Sequence, residues 1–352
     1  MFITLMRRHT KSILIKIMVG LIAVVFVFGL ACKGDGERIY VIKSSLSQNP
    51  LEPQVRAVEL FKQNVEERSA GKVKVEIYPN NQLGNQRDVV EGIQLGTIQM
   101  SNVASVMAGF VHELNIFELP FLFENREHFY AVLDSAIGES LRPAFERRGF
   151  HLLGYFDAGV RHIMTVEKPI NSIGDLGGQK IRMMENPLHL AAFKAFGASP
   201  LPMAYSELYT ALEQHVIDGA EAANTNYLSK KFYEPAPYWA QVGWIHLIEY
   251  VIMSRYFYDR LPSGFKKIID EAAILMIRKE RQWYSENDEK ALLKLVEEGI
   301  EITHPDRKPF VEASQKVYKE WADKVGGMDL IEKIIRFDYG RSKKSVEESR
   351  RK

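Results

Sequence analysis

The sequence of 352 residues predicts an α/β protein, in which short strands alternate with helices along the chain. Three observations support this class. Segments with alternating apolar and charged side chains are followed by segments with helical periodicity. Gly and Pro stand between these segments, where strands and helices commonly end. A long run between Gly264 and Gly299 has neither Gly nor Pro and is rich in helix-forming residues. In α/β proteins, ligands bind at the carboxyl ends of the strands.

The first predicted elements are a helix at residues 53–69, a half-buried strand at residues 73–77 and a second helix at residues 87–95. In the first helix four apolar side chains share one face: Val55, Val58, Phe61 and Val65. In the strand, apolar and charged side chains alternate, and Pro79 follows it. Gly96 ends the second helix.

Further strands and two helices are predicted in the rest of the chain. One strand begins at residues 98–100, and two more short strands lie at residues 152–156 and 181–184. Residues 187–196 predict a helix with Pro187 at its start and Gly197 beyond its end, as expected of helix termini. Residues 264–299 predict a helix of about thirty residues, which is long for a compact domain and is able to run across two lobes.

The N-terminal residues have the pattern of an export signal. Four basic side chains, Arg7, Arg8, Lys11 and Lys16, precede an uncharged run at residues 17–30. That run is short for a membrane span and has the length of a secretory signal. Residues 1–31 are therefore predicted to be a signal peptide.

Cys32 is the only cysteine of the chain, so it has no partner for an internal disulfide. Its position directly after Ala31 resembles a lipobox, in which the thiol is acylated after cleavage, although Gly29 stands where Leu is usual. We expect a lipid anchor at Cys32 and a tether at residues 32–38. Plain secretion, or an uncleaved anchor with a bystander thiol, stays open. Residues 340–352 are predicted to be a charged, disordered tail.

Charge and motifs exclude several classes of protein. Lys plus Arg (46) and Asp plus Glu (45) nearly cancel, so no overall field favours nucleic acid. Nucleophile elbows, phosphate loops and Cys-x-x-Cys pairs are absent from the sequence. His112-Glu113 begins like a zinc-protease motif, but Ile116 replaces the second histidine, and His162 and His215 have no metal-ligand spacing. The sequence predicts a binding protein without catalytic residues, metal or cofactor.

Two arginines are the strongest candidates for ligand-binding residues. Arg161 follows Gly159, and Arg182 lies in an apolar, Met-rich strand after a Gly-Gly turn. Burying an unpaired guanidinium is costly, and its planar fork suits a carboxylate, which it holds with two parallel bonds. An internal Asp or Glu partner would satisfy each arginine equally well, so the residues alone leave both interpretations open.

Five motifs of the chain resemble those of TRAP (tripartite ATP-independent periplasmic) transporter solute-binding proteins. They are YPNNQLG at residues 78–84, LPFLF at 119–123, GASPLPM at 197–203, SELYTAL at 206–212 and VIDGAE at 216–221. They come in the family's order and roughly its spacing, and the resemblance runs from about residue 39 to about residue 333. It implies a periplasmic receptor that captures a small organic carboxylate and delivers it to membrane subunits, with an accessory periplasmic protein as an optional partner.

The resemblance also implies a fold of two α/β lobes that close like a hinged clamp, joined by crossing strands and a long interlobe helix. Residues 39–158 and 248–287 would form lobe I. Residues 159–247 and 288–335 would form lobe II.

By the same resemblance, Arg182 matches the family's selectivity arginine, which pairs with the ligand carboxylate, and Arg161 matches a second, supporting arginine. Tyr205 matches an aromatic residue that packs on the ligand. Glu185 and Gln86 match positions that supply polar contacts.

The sequence departs from the family at two places. Many relatives carry Asn directly after the VIDGAE motif, whereas here Asn comes only at Asn224, which we keep as a candidate. Several positions near the expected pocket are apolar: Val103, Ala104, Met183, Met184 and Ala222. Because unpaired polar groups cost about 1–3 kcal/mol each, this composition favours a keto, branched-chain or aromatic acid over a sugar acid.

Two other functions remain as alternatives. A secreted hydrolase or isomerase acting on an acid would need a general base near Arg182, for which Glu185 and Glu221 are the candidates. A ligand-sensing lipoprotein would use the same clamp for signalling. Two adjacent genes for multi-span membrane proteins would favour transport over sensing.

Overall fold

The computed structural model of the protein describes residues 38–340. The predicted signal peptide, the predicted lipid anchor at Cys32 and the tail beyond residue 340 lie outside the described residues. The chain divides after Tyr40 into two units, and only residues 38–40 of the first are described. The second unit, from Val41 onward, carries the fold. None of the helices in the described part has both the length and the apolar composition of a membrane span.

The described residues form nine strands. They are β1 Tyr40–Ser45, β2 Val73–Tyr78, β3 Met100–Val103, β4 Phe150–Thr165, β5 Lys180–Met183, β6 Ser199–Pro202, β7 Gly219–Ala222, β8 Tyr238–Ser254 and β9 Glu301–Thr303.

Twelve α-helices lie in the same residues. They are α1 Pro53–Arg68, α2 Gln86–Leu95, α3 Arg126–Leu133, α4 Ala136–Glu139, α5 Arg142–Arg147, α6 Pro187–Ala195, α7 Leu208–Glu213, α8 Asn224–Ser229, α9 Arg255–Asp259, α10 Ser263–Glu297, α11 Lys308–Trp321 and α12 Met328–Ile335. Short 3₁₀ helices occur at Ser105–Gly109, His112–Glu118, Ile173–Leu176, Tyr205–Glu207 and Ala322–Val325.

The strands form one sheet in the order β2-β1-β3-β8-β4-β7-β5-β6, with β9 paired to β8. The long strands β4 and β8 pair antiparallel in the middle of this order. On one side β1 and β3 are parallel, and on the other side β5, β6 and β7 are parallel. The prediction of an α/β protein is therefore confirmed, and β4 and β8 are shared by both halves of the sheet.

Strand β4 is much longer than the five residues predicted at 152–156. Its pairing with β8 shifts register at three places, including the step from Asp157 to Val160. Gly159 lies there with a φ of 82°, and an added Cβ would come within 2.5 Å of Ala223. Bulges of this kind bend a strand without ending it. Gly159 is thus part of a bulge within β4, two residues before Arg161.

The predicted long helix is confirmed as α10, with 35 residues. It packs against α1, α8 and β4. Two polar contacts tie its middle to β4: Glu280 Oε2 accepts a hydrogen bond from Asp157 N at 3.0 Å, and Arg281 Nε donates to Tyr155 O at 3.1 Å. The helix therefore braces β4 directly before the bulge.

The apolar face predicted for α1 is confirmed. Val55, Val58, Phe61 and Val65 are all buried. Burying each side chain of this size stabilises the fold by about 1.5–3 kcal/mol, so this stripe holds α1 in place. The helix leads directly out of the loop after β1, which reaches the functional site described below.

Candidate functional site

A cleft lies at the carboxyl ends of β1, β3, β5 and β6, with about 650 Å³ of empty space that is partly open to solvent. Eleven of its eighteen lining residues are polar: Ser47, Gln48, Asn81, Asn85, Gln86, Arg161, Arg182, Glu185, Tyr205, Asn226 and Glu249. The apolar lining consists of Ala104, Val106, Ala158, Met184, Met203, Ala204 and Leu247. The cleft therefore lies at the carboxyl ends of strands, where ligands of α/β proteins are expected to bind.

Arg182 lies on β5 between two parallel neighbours, beside Leu201 of β6 and Ala220 of β7. Its side chain is almost fully buried, and burial lowers the pKa of its guanidinium. Nε and Nη2 both donate to Met203 O, at 3.0 and 2.8 Å, in the loop that follows β6. Nη1 makes no hydrogen bond with any residue in the range 38–340. One edge of the fork is therefore anchored, and the other edge is free.

Arg161 is satisfied by the protein itself. Its Nε donates to Glu221 Oε2 at 2.6 Å, and Nη2 lies 3.3 Å from Glu221 Oε1 and 3.2 Å from Glu221 O. Nη1 donates to Asn226 Oδ1 at 3.1 Å and to Ala158 O at 3.3 Å. An internal acid therefore pairs with Arg161, which is one of the two interpretations that the sequence left open.

Glu221 lies between the two arginines. Its Oε1 is 3.8 Å from Arg182 Nη1, so it reaches both guanidinium groups. Burial alone would raise the pKa of Glu221, but the charges of Arg161 and Arg182 lower it below its usual value. We call Arg161, Arg182 and Glu221 together the arginine pair with Glu221. The three buried side chains carry two positive charges and one negative charge.

Tyr205 and Gln86 also line the cleft. The Tyr205 ring centre is 5.9 Å from the Arg182 guanidinium carbon, and its buried hydroxyl has no hydrogen-bond partner among the described residues. Gln86 Oε1 accepts from Ala104 N at 3.1 Å, while Nε2 lies 3.4 Å from Ser47 Oγ. The Gln86 amide is thus held in place by the Ala104 backbone, and the Tyr205 hydroxyl is left without a partner among residues 38–340.

Glu185 lies at the rim of the cleft, where its Oε2 is 3.7 Å from Arg87 Nε. Of the six predicted ligand-binding residues, Asn224 alone is absent from the lining. Its Oδ1 accepts from Trp239 Nε1 and Gln241 Nε2, both at 2.9 Å. Asn226 lines the cleft instead. Two residues further along α8 a side chain points to a different face of the helix, which explains the exchange.

The expectation of a pocket with few hydrogen-bonding groups is wrong. Ala104 and Met184 do line the cleft, but Val103, Met183 and Ala222 are buried in the core. Side chains alternate between the two faces of a strand, so Arg182 and Met184 share one face and Met183 takes the other.

Glu249 is the main residue of the cleft that the sequence reasoning missed. It lies on β8, is 4% exposed, and accepts hydrogen bonds from Gln48 Nε2 and Asn102 Nδ2, both at 2.5 Å. Burial raises the pKa of Glu249 to about 7. The signal was present: Glu249 is a lone acid in the apolar run at residues 244–253, as Arg182 is the one charged residue in the run at residues 181–184.

The histidines stand apart from the cleft lining. His162 Nδ1 accepts from Gly243 N at 3.1 Å, and burial lowers the pKa of its ring to about 3. Glu113, next to His112, forms ion pairs with Arg147 and Arg148. Within residues 38–340, His, Cys, Asp and Glu side chains form no group of three that is able to hold a metal ion.

This chain belongs to the bacterial extracellular solute-binding proteins of family 7 (DctP), whose profile matches residues 45–324. A solute-binding protein of Verminephrobacter eiseniae (strain EF01-2) is 34% identical over 280 residues, which cover 79% of this chain and 83% of that protein. The 2,3-diketo-L-gulonate-binding periplasmic protein YiaO of Escherichia coli (strain K12) is 30% identical over 282 residues, covering 79% of this chain and 86% of that protein. The family is periplasmic and consists of transport proteins that bind solutes, not of enzymes.

Solved structures show the same two-lobed fold. The succinate-bound TRAP periplasmic solute-binding protein of Sulfurospirillum deleyianum is 32% identical, has a TM-score of 0.81, and covers 84% of this chain and 98% of that one. Its counterpart from Bordetella bronchispeptica, with density interpreted as pantoate, is also 32% identical, with a TM-score of 0.82 and coverages of 84% and 99%. The predicted family and the two-lobed α/β fold class are confirmed.

Proposed function

We propose that this protein is the extracytoplasmic receptor of a TRAP-type transporter, that it holds a small organic carboxylate at Arg182, and that it delivers the carboxylate to the membrane subunits. The observation that carries this proposal is the arginine pair with Glu221. Two buried guanidinium groups face one buried carboxylate, so one positive charge has no counterpart in the group. A ligand carboxylate supplies the missing negative charge.

The hydrogen-bonding geometry supports Arg182, rather than Arg161, as the primary contact. Every nitrogen of the Arg161 guanidinium already has a protein acceptor. Within residues 38–340, Arg182 has only Met203 O as a hydrogen-bond acceptor, and its Nη1 is buried beside the cleft. A carboxylate that bonds Nη1 and Nη2 together would gain two charge-assisted hydrogen bonds without displacing a protein partner. Arg161 then acts by holding Glu221 and Asn226.

The lining supports a ligand with hydroxyl or carbonyl groups in addition to its carboxylate. Ser47, Gln48, Asn81 and Asn85 bring donors and acceptors to the cleft, together with the Tyr205 hydroxyl. Two relatives carry names or ligands of this kind, 2,3-diketo-L-gulonate and pantoate, and a third is bound to the dicarboxylate succinate. All three are small organic acids.

Contacts across the cleft supply a means of coupling binding to closure. Asn226 Nδ2, on α8, donates to Glu52 Oε2 at 2.7 Å, just before α1. Glu185, after β5, lies 3.7 Å from Arg87 on α2. We propose that residues 39–158 with 248–287, and 159–247 with 288–335, close as lobes about β4 and β8. A ligand shifts the equilibrium towards the closed state by as much as it binds that state more tightly, which depends on the contacts that form only on closure.

The first test of this function is calorimetric titration of purified protein with a panel of small carboxylates, each paired with its uncharged amide. We expect at least one acid to bind and its amide to bind much more weakly, since the amide leaves Arg182 without a counter-charge. Failure of every acid in a broad panel, with folded protein, would reject the proposed function. Conversion of the bound acid into another compound would support an enzyme instead, with Glu185 as the candidate base, because Glu221 is held by both arginines.

Delivery and anchoring need separate tests. Protein loaded with its acid should stimulate uptake of that acid by vesicles that contain the TRAP membrane subunits. The same loaded protein should not stimulate uptake by vesicles that lack these subunits. For the lipid anchor, we propose that Cys32 is acylated. Cys32→Ser should then abolish incorporation of labelled fatty acid and leave precursor or released protein. Lipid on the Cys32→Ser protein would show that the anchor is elsewhere.

A further inference from the structure

Glu249 faces the same cleft as Arg182 but comes from a different strand. It lies on β8 opposite Phe156 of β4, whereas Arg182 lies on β5, beyond β7. Both side chains line the cleft. A ligand whose carboxylate is bound by Arg182 therefore presents the rest of its atoms to a wall that contains Glu249.

The surroundings of Glu249 keep it an acceptor. Gln48 Nε2 bonds Oε1 and Asn102 Nδ2 bonds Oε2, so both oxygens are fixed by neutral amides. Among residues 38–340, none of the ion pairs involves Glu249. A carboxyl oxygen accepts more than one hydrogen bond, so each oxygen has room for a donor from a ligand. A side chain of this kind offers a site for a hydroxyl group and opposes a second negative charge.

We propose, on the basis of the proposed function, that Glu249 makes the cleft select hydroxylated monocarboxylates over dicarboxylates. The ligand carboxylate binds at Arg182, and a hydroxyl group further along the ligand donates to Glu249. A ligand with a second carboxylate in that place brings two negative groups together in a buried cleft, which is strongly unfavourable.

Overall similarity does not choose between these classes of ligand. The succinate-bound and the pantoate-bound structures are equally identical to this chain, at 32%. Succinate has two carboxylates, whereas pantoate has one carboxylate and two hydroxyl groups. The arginine pair with Glu221 can bind one ligand carboxylate, and Glu249 can accept a hydrogen bond from a ligand hydroxyl. This combination matches pantoate rather than succinate.

The protonation state of Glu249 gives the selectivity a pH dependence. Burial raises its pKa to about 7, so the carboxyl is mostly ionised at pH 8 and mostly neutral at pH 6. Glu249 interacts electrostatically with four titratable groups that come from several elements: Glu52, Arg161, Tyr205 and Glu280. Protonation of Glu249 removes the repulsion of a second carboxylate, so selectivity against dicarboxylates should weaken as the pH falls through 7.

The experiment uses acids that differ only at the end remote from the shared carboxylate. Galactonate is compared with galactarate, and 4-hydroxybutyrate with succinate, together with pantoate, by calorimetry on purified protein at pH 8 and pH 6. At pH 8 we expect the hydroxyl-bearing member to bind roughly tenfold or more tightly than the dicarboxylate. The ratio should shrink at pH 6. In Glu249→Gln it should be small at both pH values, since the amide carries no charge.

Glu118→Gln is the matched control, because Glu118 is also a buried acid but lies outside the cleft lining. It should leave the ratio as in the wild type. Equal or preferential binding of the dicarboxylate by the wild type at pH 8 overturns the selectivity, while the proposed function stands. If no acid binds the folded wild type, the proposed function itself fails and the selectivity fails with it. The wild-type comparison at two pH values tests the proposal even if Glu249→Gln does not fold.

Discussion

Arg161 and Arg182 reach the same carboxylate, Glu221, yet their surroundings differ. Arg161 is paired at every nitrogen, to Glu221, Asn226 and the Ala158 carbonyl. Arg182 bonds one carbonyl oxygen and lies 3.8 Å from Glu221 at its remaining nitrogen. From the sequence the two arginines look alike. The number of donors left free after folding, rather than burial, separates a structural arginine from a ligand-binding one.

The contrast extends to the ionisation of both groups. Burial tends to lower the pKa of both guanidinium groups, and the Glu221 carboxylate tends to raise both. For Arg161 the effect of Glu221 prevails and the pKa is raised, whereas for Arg182 burial prevails and the pKa is lowered. Arg182 therefore gains more than Arg161 from an additional negative group. This is the electrostatic counterpart of the free edge of its guanidinium.

The largest effect is expected for Arg161→Ala, and it concerns stability. Removing one member of a buried ion pair strands the other, so the free energy of unfolding should fall by about 3–5 kcal/mol. Urea unfolding followed by circular dichroism measures the change. Arg161→Lys should fall in between, because it keeps the charge but not the planar fork. An Arg161→Ala protein as stable as the wild type would show that Glu221 is satisfied without Arg161.

Arg182→Ala should act on binding. Losing one partner of a buried charge pair costs about 2–5 kcal/mol, so the Kd should rise by roughly thirtyfold to several thousandfold. Arg182→Lys should lie between the wild type and Ala. Calorimetry on variants with verified unfolding curves measures this, and Arg336→Ala, at an exposed position directly after α12, is the control. A Kd for Arg182→Ala within threefold of the wild type would place the carboxylate contact elsewhere.

Glu249→Gln should change stability in a pH-dependent way. The pKa of Glu249 is about 7 in the folded protein and near 4.3 when unfolded, so the folded state binds the extra proton between these values. The stability associated with this proton is fully present below about pH 4 and is lost as the pH rises through 7.

The Gln variant carries no such titration. At pH 8 we expect it to exceed the wild type in unfolding free energy by on the order of 1–3 kcal/mol. At pH 4.5 the two proteins should be nearly equal. Chemical unfolding at both pH values provides the measurement, and a difference independent of pH would mean that Glu249 does not titrate in this range.

Tyr205→Phe should give the smallest effect. The hydroxyl has no hydrogen-bond partner among the described residues, so its removal should leave the melting temperature unchanged within a degree or so. If the hydroxyl bonds the ligand, binding should weaken by about 0.5–1.5 kcal/mol, or roughly two- to twelvefold. Unchanged binding would assign Tyr205 a purely aromatic role beside Arg182.

Several features could be predicted from local sequence because they depend on local physics. The long helix α10 follows from a run without Gly or Pro, and α1 follows from its apolar periodicity. Arg182 stood out because a charge in an apolar strand needs a partner. Glu249 met the same criterion and could have been found by applying it to residues 244–253.

What the sequence determined by itself is the order of strands and helices and the presence of unusual charges within apolar strands. Only the tertiary structure decided which partners those charges have. Glu221 is 60 residues from Arg161 and pairs with it because β4 and β7 are neighbours in the sheet. Asn226, rather than Asn224, reaches the cleft because of how α8 is rotated. Such pairings depend on strand order and helix rotation, which are set by packing across the whole chain and are not encoded in any one segment.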